Sequence, residues 1–243
     1  MVSELDSYAG VYEGANLYDF DNEIIMNWYP QRVLHLCKDR SFALELGLGH
    51  GISTAIFSKH FDRHVVIEAS SLVIENFNSR YPACSAEIVE TYFEDFDTKD
   101  RFDVIVFGFV LEHVQDPIRL LRRFKTFLAK PKGRMFVTVP NAEVMNRRLG
   151  HIMGILPDLK ELSSHDVRCG HKRYYDIKQL KMDVEQAGLL LMGLEGVYLK
   201  PFTTKQLKNM DLDESVLNAL CVLGIEYPEL CCAVLAQIGE GGE

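Results

Sequence analysis

Three glycines, Gly47, Gly49 and Gly51, alternate with other residues directly behind Glu45. Glycine allows tight turns and lets backbone approach a ligand closely. The loop follows an apolar run at 41–46 and precedes helical patterning at 52–60. That is the strand–turn–helix setting in which such loops bind ligands. Pyrophosphate sites usually read GxGxxG, whereas this loop reads GxGxG after an acid. The acid would repel a pyrophosphate and suits a ligand carrying positive charge. A second acid, Glu68, ends the run VVIE. It falls about twenty residues beyond the loop, where an acid commonly accepts hydrogen bonds from ribose hydroxyls. A third group, SSHDVRCGHKRYY at 163–175, is dense in polar side chains. There His171 suits a general base or hydrogen-bond partner, and Arg173 suits an anionic or polar acceptor group. The competing reading is that both pin a loop to the helix behind it. His113, in LEHV, either orients a substrate or seals the following helix.

Positioning these groups requires alternating elements. Apolar runs at 41–46, 64–68, 86–90, 102–107 and 133–139 read as buried strands, and 189–194 and 230–238 as the last two. Between them, helical spacing covers 52–60, 70–81, 117–128 and 176–187. On the 117–128 helix, Ile118, Leu121, Phe124 and Leu128 form the apolar face, while Arg119, Arg122, Arg123 and Lys125 read as a solvated one. Strands alternating with helices predict a parallel sheet covered on both faces. The chain divides into a tyrosine-rich helical arm (1–40), a core (41–140), a polar lid insertion (141–175) and a C-terminal part (176–243) with a second insertion at about 200–229.

Acids exceed bases, 35 to 26, giving a formal charge of -9. Nucleic-acid grip is therefore disfavoured. No apolar run is long enough for a bilayer span and the first residues do not read as a signal, so the expectation is a cytoplasmic protein away from membranes. Six scattered cysteines without a CxxC pair predict reduced thiols and no zinc site.

The runs ELGLGHG, VVIEAS, FDVIVFGFVLEHVQDP and GRMFVTVPN together resemble the class I methyltransferases that use S-adenosyl-L-methionine. The resemblance covers roughly 42–141, with a weaker extension to 197. It implies an α/β fold: a doubly wound, Rossmann-like, seven-stranded, mostly parallel sheet with an antiparallel last strand. It further implies that Glu45, Gly47, Gly49 and Gly51 surround the methionine part of the cofactor. Glu68, with Ala69 beside it, would hold the ribose. Tyr92, Phe93 and Glu94 would meet adenine, and Phe107, Gly108 and Phe109 would floor the sulfonium. Tyr18 of the arm is the candidate to close over the cofactor. His50 departs from the small or threonine residue common in this loop. Gly170, His171, Arg173 and Tyr175 are similar to a Gly-His-x-Arg-x-Tyr pattern of a small-molecule branch. His171 is thus expected to be catalytic, and His113, Arg173 and Tyr175 to bind substrate.

The resulting expectation is a metal-independent enzyme that methylates a polar small molecule, at oxygen, in specialised-metabolite, sugar or cofactor biosynthesis. A small-molecule N-methyltransferase and an inactive binding module are the alternatives, and a homodimer is left open. An NPPY-like tetrapeptide is missing after the fourth strand, where FGFV stands, so the likeness to nucleic-acid or protein amide methyltransferases is poor. A nicotinamide oxidoreductase is disfavoured by the glycine spacing and by Glu45.

Overall fold

In the computed structural model, residues 17–240 are described. The arm tyrosines Tyr8 and Tyr12 lie outside them. Seven strands, β1 (Phe42–Leu46), β2 (Arg63–Glu68), β3 (Glu87–Glu90), β4 (Val104–Gly108), β5 (Arg134–Pro140), β6 (Leu190–Leu199) and β7 (Cys231–Gly239), form one sheet in the order β3-β2-β1-β4-β5-β7-β6. The first five pair in parallel, and β7 runs antiparallel between β5 and β6. The apolar runs account for this. Strands β1, β4 and β5 are buried almost throughout, as strands covered on both faces must be.

Helices α1 (Asp19–Leu36), α2 (Ile52–Phe57), α3 (Ser71–Arg80), α4 (Pro117–Lys125) and α7 (Ile177–Gln186) flank the sheet. Helices α5 (Met145–Ile152) and α6 (Ser164–Arg168) lie in the stretch between β5 and α7, and α8 (Thr204–Asn209) and α9 (Glu214–Gly224) between β6 and β7. Helix α4 shows how local sequence sets an element. Asp116 caps it by accepting from the Arg119 N–H at 2.9 Å, and Pro117 occupies its first turn. Leu120, Leu121 and Phe124 are buried beneath it.

The basic face of α4 is not simply solvated. Arg122 donates to the Gln186 carbonyl and Lys125 to the Gly188 carbonyl at 2.7 Å, where α7 ends and leaves carbonyls without partners. Arg123 donates to the Phe96 carbonyl. Strand β6 also extends five residues beyond the apolar run that announces it. The polar Glu195 is held within it by a two-pronged bond from Arg32 of α1, at 2.8 and 2.9 Å.

The strand order reverses between β1 and β4, so the loops leaving those strands diverge to opposite faces of the sheet. A crevice opens between them at the carboxyl ends of the strands, the usual place for a ligand in a doubly wound sheet.

Candidate active site

A cavity of about 800 Å³ occupies that crevice. Gly47, Gly49 and Gly51 line it, all at positive φ (80°, 48° and 75°). A side chain at Gly51 would place Cβ 2.5 Å from the Phe77 ring, so the loop can lie against α3 only as glycine. Glu68 lines the cavity at the end of β2, with Ala69 next to it. Its carboxylate accepts from the Leu48 N–H at 3.1 Å and the Ser70 N–H at 2.8 Å, which ties the glycine loop to the β2 end. Tyr92, Phe93 and Glu94 border the same side. Gly108 and Phe109 do so from β4, Phe109 at a φ of 60°, which non-glycine residues rarely adopt.

Tyr18 also lines the cavity, and its ring stacks on His165 of α6 at 4.1 Å, so the arm touches the segment that covers the site. His113 and His171 line the same cavity as the glycine loop, with ring centroids 4.8 Å apart and nearly perpendicular. The His171 N–H donates to the Asp166 carbonyl at 2.9 Å, and its Nδ1 lies 3.6 Å from the Asp166 carboxylate. The latter distance is in ion-pair range but too long for a hydrogen bond. Asp166 is itself fixed by Ser163 and the Tyr174 hydroxyl. Burial lowers the pKa of both imidazoles, that of His113 to about 4; Asp166 opposes the shift at His171. Burial thus disfavours the protonated form of both rings, and at His171 the Asp166 carboxylate offsets part of that cost.

Four expected contacts fall elsewhere. Glu45 is 1% exposed and does not line the cavity. It turns into α2, accepting from the Ser53 hydroxyl at 2.6 Å and the Thr54 hydroxyl at 2.8 Å. His64 Nε2 approaches it to 3.3 Å, within ion-pair distance though without hydrogen-bond alignment. Phe107 is fully buried, packs edge-on to Phe124 of α4 and does not line the cavity. Arg173 donates to the carbonyls of Leu111 (3.0 Å) and Gln115 (3.1 Å), pinning its segment to the loop after β4. Tyr175 is a core residue whose hydroxyl donates to Asp183 at 3.0 Å.

Sequence patterns alone did not single out Glu112. It is fully buried, lines the cavity, and neither carboxylate oxygen has a hydrogen-bond partner among the described residues. Burial raises its pKa to about 8, against the pull of Arg173. An acid inside the apolar run FGFVLEHV was the available signal. Glu112, His113 and His171 place ligating atoms within 4.8 Å of one another, a donor set that divalent cations accept.

A doubly wound sheet with a glycine loop and a strand-end acid at its switch point, and an antiparallel β7, defines the S-adenosyl-L-methionine-dependent methyltransferase class. The residues fit the cofactor. At three positions the loop offers backbone without a side chain, and Glu68 presents a carboxylate at the next strand end. Residues 25–192, more than half of the chain, match the family model described as "Methyltransferase domain", and the chain belongs to that family.

Among curated proteins, it is 32% identical over 126 residues to the ubiquinone biosynthesis O-methyltransferase of Aeromonas salmonicida (strain A449), 49% of either chain. It is 27% identical over 191 residues to the protein of that name from Coxiella burnetii (strain Dugway 5J108-111), 73% of this chain and 75% of the other. The chain thus spans about half the length of the first relative. Among solved structures, the fold resembles the N-methyltransferase NodS of Bradyrhizobium japonicum WM9 in complex with S-adenosyl-L-homocysteine. The TM-score is 0.62 at 15% identity, over 97% of both chains. No helix among the described residues is long and apolar enough to cross a membrane.

Proposed function

We propose that the enzyme methylates a hydroxyl group of a small polar molecule, with His171 as the base. One observation carries this reading: the His171 imidazole, with the Asp166 carboxylate 3.6 Å from its Nδ1, lines the same cavity as the glycine loop. Bound there, S-adenosyl-L-methionine supplies an activated methyl group on its sulfonium.

The chain's own residues would do the rest. Glu68 accepts hydrogen bonds from the ribose, Tyr92, Phe93 and Glu94 border the adenine, and Gly108 and Phe109 floor the reacting end. Tyr18 and His165 close the cavity against water. His171 takes the hydroxyl proton as the oxygen attacks, and His113, edge-on to it, fixes its ring. The ubiquinone O-methyltransferase relatives support oxygen as the acceptor atom, and a cavity of about 800 Å³ supports a small molecule. Incubating the protein with S-adenosyl-L-methionine and panels of phenols, sugars and amines, then measuring S-adenosylhomocysteine, tests the reading. Turnover confined to amines would refute it.

The cluster of Glu112 with the two histidines favours a second reading, in which a divalent cation activates the hydroxyl and His171 is its ligand. Activity lost on chelation and restored by a cation would select it; undiminished activity after chelation would leave the free base.

Placement of the ribose has its own check. Glu68→Ala is expected to weaken S-adenosylhomocysteine binding about 10- to 100-fold in calorimetry, on the order of 1.5–3 kcal/mol for lost charge-assisted hydrogen bonds. An unchanged dissociation constant would move the ribose elsewhere.

A further inference from the structure

A second polar group in the cavity wall has no part in the chemistry just described. Asp21 in the first turn of α1, Lys200 just after β6, and Thr204 at the start of α8 are each more than nine-tenths buried, and all three line the cavity. Lys200 Nζ donates to Asp21 Oδ2 at 2.6 Å and to Thr204 Oγ1 at 2.8 Å, and the Thr204 hydroxyl donates to the same Oδ2. Asn146 of α5 joins them through its N–H, which donates to the Lys200 carbonyl at 3.1 Å. Tyr198, two residues before Lys200, is held at a φ of 61°, a strained conformation that persists only where surrounding structure over-determines it.

Bonding capacity is left over. Asp21 Oδ1 and Asn146 Oδ1 are buried with no partner among the described residues. Lys200 has three N–H groups and two acceptors there. An ion pair removed from water seldom adds stability over apolar residues of similar volume. Buried acceptors without partners are costly unless something bonds to them. The remaining valences, donors on Lys200 and the Asn146 amide and acceptors on Asp21 Oδ1 and Asn146 Oδ1, around a self-neutralised pair, select the ligand chemistry. A carboxylate would meet Asp21 and an ammonium would meet Lys200, each with unfavourable charge. A neutral hydroxyl both donates and accepts.

We propose that Asp21, Asn146, Lys200 and Thr204 bind hydroxyl groups of the acceptor other than the one methylated, so that the enzyme selects a polyhydroxylated molecule, such as one carrying a sugar. The inference rests on the cavity being the methyl-transfer site.

Calorimetry on the protein saturated with S-adenosylhomocysteine tests it, with hydroquinone and its β-D-glucoside as probes. The glucoside is expected to bind at least tenfold more tightly. Lys200→Met and Asp21→Asn should bring it down to the hydroquinone value. Asn146→Ala, whose tie to Lys200 runs through the main chain, should keep the fold and still cost several-fold. Equal affinity of the two probes for the unaltered protein overturns the proposal. So does a glucoside preference that survives in Asn146→Ala and in a folded Lys200→Met, since the group would then be only a tie between helices. Absence of heat with S-adenosylhomocysteine itself would instead overturn the reading of the cavity, and this proposal with it.

Discussion

Replacing His171 with alanine is expected to lower turnover by about 10²–10⁴-fold, the usual contribution of a positioned general base, while cofactor affinity stays nearly unchanged. The two readouts separate because the segment does not depend on the imidazole for its position. The Lys172 N–H donates to the Glu112 carbonyl at 2.8 Å, and Arg173 clamps Leu111 and Gln115. The ring can be removed without releasing the chain that carries it. Steady-state kinetics on any accepted hydroxyl substrate, paired with calorimetry on S-adenosylhomocysteine, gives both numbers. Turnover at the full rate would reduce His171 to a structural residue.

Glu45→Ala should show the reverse pattern, a large loss of stability. Two hydroxyls and an imidazole converge on this carboxylate inside the protein, and its removal strands them there. Deleting one partner of a buried charged network costs about 3–5 kcal/mol. For a chain of this size, that corresponds to a fall in Tm on the order of 10 °C. Thermal denaturation with and without S-adenosylhomocysteine is the measurement. A variant with the original Tm and weakened cofactor binding would show that Glu45 faces the ligand after all.

Much of the core was readable because β1, β4 and β5 are sealed on both faces, which demands continuous apolar runs that stand out against polar loops. The glycine loop and Glu68 were readable for a related reason: strand, turn and acid recur at fixed spacing wherever this crevice forms. The errors share one origin. A motif gives the place of a residue along the chain, while the direction of its side chain follows from partners far away or on the other face. Glu45 sits at the expected place before the glycine loop, in β1, yet Ser53 and Thr54, eight and nine residues later, draw it inward. Arg173 and Tyr175 alternate with residues facing the cavity and bond to backbone and to Asp183 instead. The far half of β6 was hidden because its polar residue is satisfied by Arg32, 163 positions earlier. Asp21 and Lys200, 179 apart, meet only once the sheet is complete. Pairings over such separations leave no local pattern.

The placement of β7 between β5 and β6 governs how the protein can be made. The C-terminal strand does not extend a finished edge; it fills a gap. Until it emerges from the ribosome, β5 presents an unpaired border and β6 has no neighbouring strand among the described residues. Such borders template wrong pairing between nascent chains. Truncations that remove β7 should therefore yield insoluble material rather than a smaller folded protein.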